Sequence, residues 1–168
     1  MSPRMDVGHQ TLERISDALS RYNQWMFEQM APVVGDEVLE VGSGIGNLSA
    51  FLADRPRICL TDVSETYLHL LQARFGHQGN VAVHHWDLGT PAPQVLLPGS
   101  FDTIICLNVL EHIEDDRAAL QRMHHLLKPG GCLALLVPAH PFLFNGLDEG
   151  LHHYRRYHKD GLSRLLSE

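Results

Sequence analysis

The chain has 168 residues, 44% of them apolar and 20% charged, and carries a formal charge of −7 with its histidines neutral. That is long enough for one domain with a sizeable core and too apolar for wholesale disorder. No run of Lys or Arg stands out, which argues against nucleic acid as the main partner, and no stretch approaches the ~18 apolar residues of a membrane span. The start, Met1 to Asp6, lacks the apolar centre of a signal peptide, so none is expected.

Leu12, Ile15, Leu19, Tyr22, Met26 and Met30 recur at helical spacing and Pro32 closes the run. This predicts an amphipathic helical cap over residues 1–34, broken near Asn23, ahead of a main domain at 35–168. In that domain strands are expected at 37–41, 57–61, 81–85, 101–107 and 132–137. Helices are expected at about 47–54, at 65–75 with Gly76 as the stop, and at 115–127. A Pro/Gly-rich loop joins the third and fourth strands. Strict alternation implies right-handed crossovers and a doubly wound, mostly parallel α/β sheet. The fourth and fifth strands are nearly continuous apolar runs, as strands covered on both faces must be. After Pro138 periodicity fades until Leu162, Leu165 and Leu166 announce a last helix.

Cys59, Cys106 and Cys132 each fall within a predicted strand and none pairs at C-x-x-C spacing. They read as small buried hydrophobes, neither a disulfide framework nor a metal set, and point to a reducing, cytoplasmic compartment.

In an open parallel sheet, ligands bind beyond the carboxyl ends of the strands. After the first strand come Gly42, Ser43, Gly44, Ile45 and Gly46, a turn that lets backbone amides approach a ligand; a ligand-free tight turn is the plainer alternative. Glu40 stands two residues before the first glycine, where it would repel a pyrophosphate. Asn47 replaces the last glycine of a dinucleotide fingerprint. A cationic adenosyl sulfonium suits such a carboxylate better. Asp62, with Val63 beside it, ends the second strand and can accept both hydroxyls of a ribose; alternatively Asp62 to Glu65 has the spacing of a capping box. Asp87 can accept from an adenine amino group with Trp86 or Leu88 against the ring, or simply serve the turn before Gly89. Asn108 suits a left-handed turn or a place at the cofactor's methionine end. His112 can orient a substrate or accept a proton. His124 and His125 are expected to be solvated. The histidine-rich segment 140–159 offers Tyr154, Arg155, Arg156 and Tyr157 as a substrate-facing lid. Its histidines lack a second pair at ligand spacing, so no metal is expected there.

Taken together, these residues resemble the class I S-adenosylmethionine-dependent methyltransferases, in their small-molecule branch. The resemblance runs from about Tyr22 to Leu166. It is carried by the glycine motif at 38–46, Asp62, Trp86-Asp87-Leu88, Phe101-Asp102 leading to Asn108-Val109-Leu110-Glu111-His112, and Leu127-Lys128-Pro129-Gly130-Gly131. It implies a Rossmann-like sheet with the cofactor over strands one, two and four. Glu40 and Gly42–Gly46 would then face the methionine moiety, Asp62 the ribose and Asp87 the adenine. Asn108 would lie near the methionine part, and Tyr22 would close over the site. The expected reaction is methyl transfer to a small or medium-sized acceptor, with His112 as base and Tyr154 and Arg155 as acceptor contacts. Two alternatives are a domain that binds S-adenosylmethionine without chemistry and an NAD(P)-dependent oxidoreductase, the latter disfavoured by Glu40 and Asn47. Family members continue into an antiparallel strand pair, giving order 3-2-1-4-5-7-6. Here the expectation is order 3-2-1-4-5 without that pair, and a homodimer across the uncovered edge of strand five.

Overall fold

The computed structural model describes residues 20–167. Five parallel strands, β1 (Glu37–Val41), β2 (Arg57–Asp62), β3 (Val81–His85), β4 (Phe101–Leu107) and β5 (Leu127–Leu136), form one sheet in the order β3-β2-β1-β4-β5. The helices are α1 (Ser20–Met30), α2 (Glu65–Phe75), α3 (Asp116–Leu126), α4 (Gly146–Gly150) and α5 (Lys159–Leu165). The parallel sheet is what the alternating pattern implied, and its order is the one expected from the family resemblance: a Rossmann-like, doubly wound α/β domain.

Because successive strand side chains point to opposite faces, β1 and β4 feed two cores at once. Leu39, Val41, Ile104 and Cys106 meet Ala119, Leu120, Met123 and Leu126 of α3 on one face. Val38 and Ile105 meet Leu71 and Phe75 of α2 on the other, with Phe27 of α1 packed at the margin. Each such buried Leu, Ile or Phe contributes about 1.5–3 kcal/mol. The register is in phase along β1, with Glu40 beside Leu60 of β2 and Ile105 of β4, so β1 and β2 end together and present Val41 and Asp62 to the same rim.

At the opposite, amino-terminal rim, Asp102 ties three segments together. Its Oδ2 accepts the Glu37 N–H at 2.9 Å and its Oδ1 accepts from Lys128 Nζ at 2.7 Å. A β-carbon added at Gly35 would stand 2.5 Å from the Asp102 β-carbon, so glycine is needed for the approach. This end holds the sheet together and leaves the carboxyl end free for a site.

The elements depart from the sequence reading in four places. A helix at 47–54 is expected, but the chain makes only one 3₁₀ turn, Ser49–Leu52. Gly46 turns left-handed before it and Pro56 follows it closely, leaving too few residues to nucleate an α-helix. α1 runs through Asn23 without a break; Leu12, Ile15 and Leu19 lie outside the described residues. β5 starts at Leu127, because the β4–β5 pairing slips so that residues 128–131 stand opposite Asp102 alone. Segment 138–158 contains a helical turn, α4, capped reciprocally by Asn145 and Asp148. Its Gly146 and Gly150 hid it from any periodicity argument. Among the described residues β5 has a neighbour on one side only, and no helix is long and apolar enough to cross a membrane.

Candidate active site

The carboxyl ends of β1, β2 and β4 converge on the glycine turn. Gly42, Gly44 and Gly46 have φ of 72°, 55° and 80°, a region that side chains with a β-carbon rarely enter. Steric need adds to this at two of them: a β-carbon on Gly42 would strike Val109, and one on Gly46 would strike the ring of Phe75. The amides of Gly42 and Ser43 both donate to the Thr61 carbonyl at 2.9 Å, which locks the turn against β2.

Two acids flank this turn. Asp62 accepts the Gly44 N–H through Oδ2 and the Ser64 N–H through Oδ1, each at 2.8 Å. The capping box allowed by the spacing does not form; Ser64 is the helix cap residue and makes no side-chain cap bond. Burial raises the Asp62 pKa above the usual carboxylate range, and these amides work against the shift. Glu40 is 5% exposed and accepts from the Ser49 hydroxyl at 2.5 Å. Burial pushes its pKa up to about 7, opposed by the hydrogen bonds from Ser49 and Ser43 and aided by the charge of Asp62. Burial therefore favours the protonated form of Glu40, and a cation placed beside it would favour the ionised one.

Towards β3 the rim is built differently. Trp86 and Leu88 are core residues, 3% and 2% exposed, and the Trp86 indole N–H donates to the Thr90 carbonyl. Asp87 accepts the Gly89 N–H at 2.8 Å. Val63 is 60% exposed beside Asp62, offering open apolar surface at this rim.

Past β4, Asn108 adopts the left-handed conformation (φ 53°) while its N–H reaches the Leu136 carbonyl at 2.8 Å. A 3₁₀ turn, Leu110–His112, follows. Segment 145–157 folds over this turn. Tyr154 N–H donates to the Glu111 carbonyl at 2.8 Å, and the rings of His112 and His153 meet edge to face at 4.6 Å. Burial lowers the His112 pKa, and the neighbouring His153 lowers it further. Asp148, 1% exposed, takes both arms of the Arg156 guanidinium at 2.7 and 2.9 Å and faces His153 Nδ1 at 3.0 Å. Arg156, and then His153, hold its carboxyl below the usual range. Arg155 is engaged by Asp116 at 2.8 Å and by the Glu114 carbonyl at 2.6 Å. Tyr157 donates to Asp116 at 3.0 Å. Tyr154 and Tyr22 keep exposed rings, and His124 and His125 face solvent.

The structure thus brings Glu40, the three glycines, Ser43 and Asp62 into one cradle, and His112 beside the lid. Ser49, Glu111, His153 and Asp148 are functional candidates that sequence reasoning did not single out. Their partners lie far along the chain or, for Ser49, in a turn misread as an ordinary helix.

A doubly wound parallel sheet with a glycine turn and two acids at its carboxyl rim defines a nucleoside-cofactor domain of Rossmann-like type. The profile of the "Methyltransferase domain" family matches residues 39–133, more than half of the chain. The chain belongs to this family, the class I S-adenosylmethionine-dependent methyltransferases. An uncharacterised methyltransferase of Mycobacterium tuberculosis is 37% identical over 124 residues, 73% of this chain and 60% of that protein. A ubiquinone biosynthesis O-methyltransferase of Pseudomonas aeruginosa is 29% identical over 146 residues, 79% of this chain and 62% of that protein. The chain therefore spans about three fifths of the length of these relatives. Among solved structures, the trans-methyltransferase CalH in complex with SAH superposes with a TM-score of 0.65 at 19% identity, over 89% of this chain and 51% of that one.

Proposed function

We propose that the chain transfers a methyl group from S-adenosylmethionine to a small or medium-sized acceptor. The observation that carries this reading is the glycine cradle with its two acids: a left-handed backbone that favours glycine, closed by Asp62 and backed by the buried Glu40. β-carbons at Gly42 and Gly46 would strike Val109 and the core ring of Phe75, so glycine at both positions fixes the shape of the turn. The acidity of the cradle fits a ligand that is cationic. The SAH found in CalH, a protein of the same fold, supports the same cofactor class.

In this reading Glu40, Gly42, Ser43, Gly44 and Gly46 hold the methionine moiety, with Asn108 across from them. Asp62 and Val63 take the ribose and Asp87 the adenine, while Leu88, buried in the core, supports that rim from beneath. When bound, the cofactor supplies a methyl carbon already attached to a good leaving group, so the protein's work is alignment more than activation. Tyr22, Tyr154 and Arg155 contact the acceptor; Arg155 would do so while keeping, or after exchanging, its bond to Asp116. His112, whose pKa partial desolvation and the neighbouring His153 lower, can accept the proton that a hydroxyl acceptor must lose. The name of the Pseudomonas relative supports oxygen as the atom methylated. The free cysteines Cys59, Cys106 and Cys132 support work in a reducing, cytoplasmic setting.

Calorimetric titration with S-adenosylmethionine, S-adenosylhomocysteine and NAD tests the reading. Binding of the first two and not the third is expected; binding of NAD alone overturns it. Transfer of labelled methyl to a panel of phenols, carboxylates and amines then separates an enzyme from a cofactor-binding domain.

A further inference from the structure

We propose that Glu111, His112 and His153 form a binding site for one divalent transition-metal ion of the zinc type. Each residue offers one donor atom, and these atoms all lie within 4.8 Å of one another. Donors bound to zinc at about 2.0–2.2 Å stand about 3.3 Å apart, so modest side-chain rotations close the set. The geometry brings together neighbours on the 3₁₀ turn after β4 and a third residue from the lid, which no local spacing rule could connect.

Two further observations favour an ion over a mere polar contact. Glu111 is 1% exposed, and its Oε2 has no hydrogen-bond partner among the described residues. A buried carboxylate oxygen is costly unless something engages its lone pairs. His153 is also braced from behind. His153 Nδ1 faces Asp148 Oδ1 at 3.0 Å, so Nδ1 carries the hydrogen and the Nε2 lone pair remains to be used. Asp148 is itself fixed by two bonds from Arg156. The backbone of His152 and Leu151, just past α4, favours the protonated form of His112 through hydrogen bonding. A carboxylate behind a ligating histidine, as Asp148 stands behind His153, is what orients a metal-binding imidazole and sets its tautomer.

Two nitrogens and one carboxylate oxygen suit zinc, cobalt or nickel and are poor for magnesium or calcium, which prefer oxygen donors. Three protein ligands leave a coordination position open. With the ion bound, His112 serves as ligand in place of base, and an acceptor hydroxyl placed at the open position would lose its proton to solvent. Its oxygen would then attack the methyl carbon as the carbon–sulfur pair leaves with the sulfur. That role rests on the methyl-transfer reading, whereas the binding of the ion does not.

The test is titration of the metal-free chain with Co²⁺, read by visible absorption, followed by competition with Zn²⁺ and with Mg²⁺. One equivalent is expected, displaced by Zn²⁺ and not by Mg²⁺. Glu111→Gln and His153→Ala should each weaken binding by about 100-fold or more, and Asp148→Asn by about 10- to 100-fold. His69→Ala, on the exposed face of α2, should change nothing. Since removing His153 also removes a packing contact of the lid, zinc-edge X-ray absorption on the unaltered chain provides an independent count, expected to show two imidazole nitrogens. Absence of one-equivalent binding tighter than about 100 µM overturns the proposal. So does one-equivalent binding undiminished in both variants, which would place the metal on surface histidines. A chain that binds zinc as expected yet transfers no methyl keeps the site and removes the methyl-transfer reading. One that binds S-adenosylmethionine but no metal removes the site alone.

Discussion

Asp62 Oδ2 accepts the backbone N–H of Gly44 at 2.8 Å, so the acid that ends β2 is tied to the middle of the glycine turn that follows β1. Residues 18 positions apart are thereby fixed as one unit before any ligand arrives. The second carboxylate oxygen is spent on Ser64. Each oxygen keeps a further lone pair, so Asp62 can shape the cradle and still accept from a ribose hydroxyl. The capping box that the spacing allowed gives way to a carboxylate that braces the glycine turn and keeps lone pairs for a ligand.

Asp62→Ala separates the two contributions. Loss of charge-assisted bonds to two amides is expected to lower unfolding stability by about 1–3 kcal/mol. If the ribose role also holds, affinity for S-adenosylmethionine falls by a further 10- to 100-fold, about 1.4–2.8 kcal/mol. Urea denaturation measures the first and calorimetry on the folded variant the second. A stability loss with unchanged affinity would confine Asp62 to shaping the turn.

Gly46→Ala tests the steric reading of the cradle. The backbone there sits at φ 80°, and the new methyl would enter the ring of Phe75 in the core beneath α2. Left-handed strain of about 1–2 kcal/mol and overpacking of about 1–3 kcal/mol add to a loss of roughly 2–5 kcal/mol. Gly79→Ala, in a loop where a β-carbon meets nothing within 4 Å, is the control and should stay within about 0.5 kcal/mol. Thermal unfolding of the pair gives the comparison; equal values would mean that the turn relaxes.

Much of this was legible in the chain, for reasons visible in particular residues. α2 keeps its expected bounds, 65–75, with Gly76 as its stop. The parallel sheet followed from alternation, its order from the family resemblance, and the cradle from three glycines placed directly after an apolar strand. What sequence could not show was contact between distant segments. His153 meets Glu111 and His112 only because a helical turn closed by Asn145 and Asp148 folds the lid back, and its glycines conceal that turn. Trp86 offered an aromatic face for adenine on paper, whereas the fold spends it in the core under the loop of Thr90. Burial, not residue type, decided that.

Glu40 makes a pH prediction whose sign runs opposite to an ordinary salt-bridged acid. Its folded pKa, about 7, lies above the value of 4.5 for an exposed glutamate. Between these values the folded chain holds more protons than the unfolded one, so stability falls as pH rises from about 4.5 to 7. The full effect is of the order of 2–4 kcal/mol. Glu40→Gln keeps a partner for Ser49 and removes the titration. Chemical denaturation from pH 4.5 to 8 should therefore show a flatter profile for the variant, with its advantage greatest at pH 8. Because a cation favours the ionised form, binding of S-adenosylmethionine to the unaltered chain should strengthen through pH 7 and that of the variant should not. Parallel slopes in the two proteins would mean that Glu40 does not titrate in this range.

Arg156→Ala tests what holds the lid. Asp148 is 1% exposed and receives both guanidinium arms, so the variant leaves a buried carboxylate with His153 and its own helix cap as remaining partners. Removing one partner of such a pair is more damaging than never having built it, because the charge left behind is not resolvated. The lid's local opening should become easier while the sheet, which shares none of these bonds, keeps its stability. Hydrogen exchange reads this directly. The amides of His153 and Tyr154, bonded to Asp148 and Glu111 carbonyls, should exchange about 10-fold faster or more. Those of β1 and β4 should stay unchanged. Unchanged protection at Tyr154 would instead assign the lid's anchorage to Asp116, through its bonds with Arg155 and Tyr157.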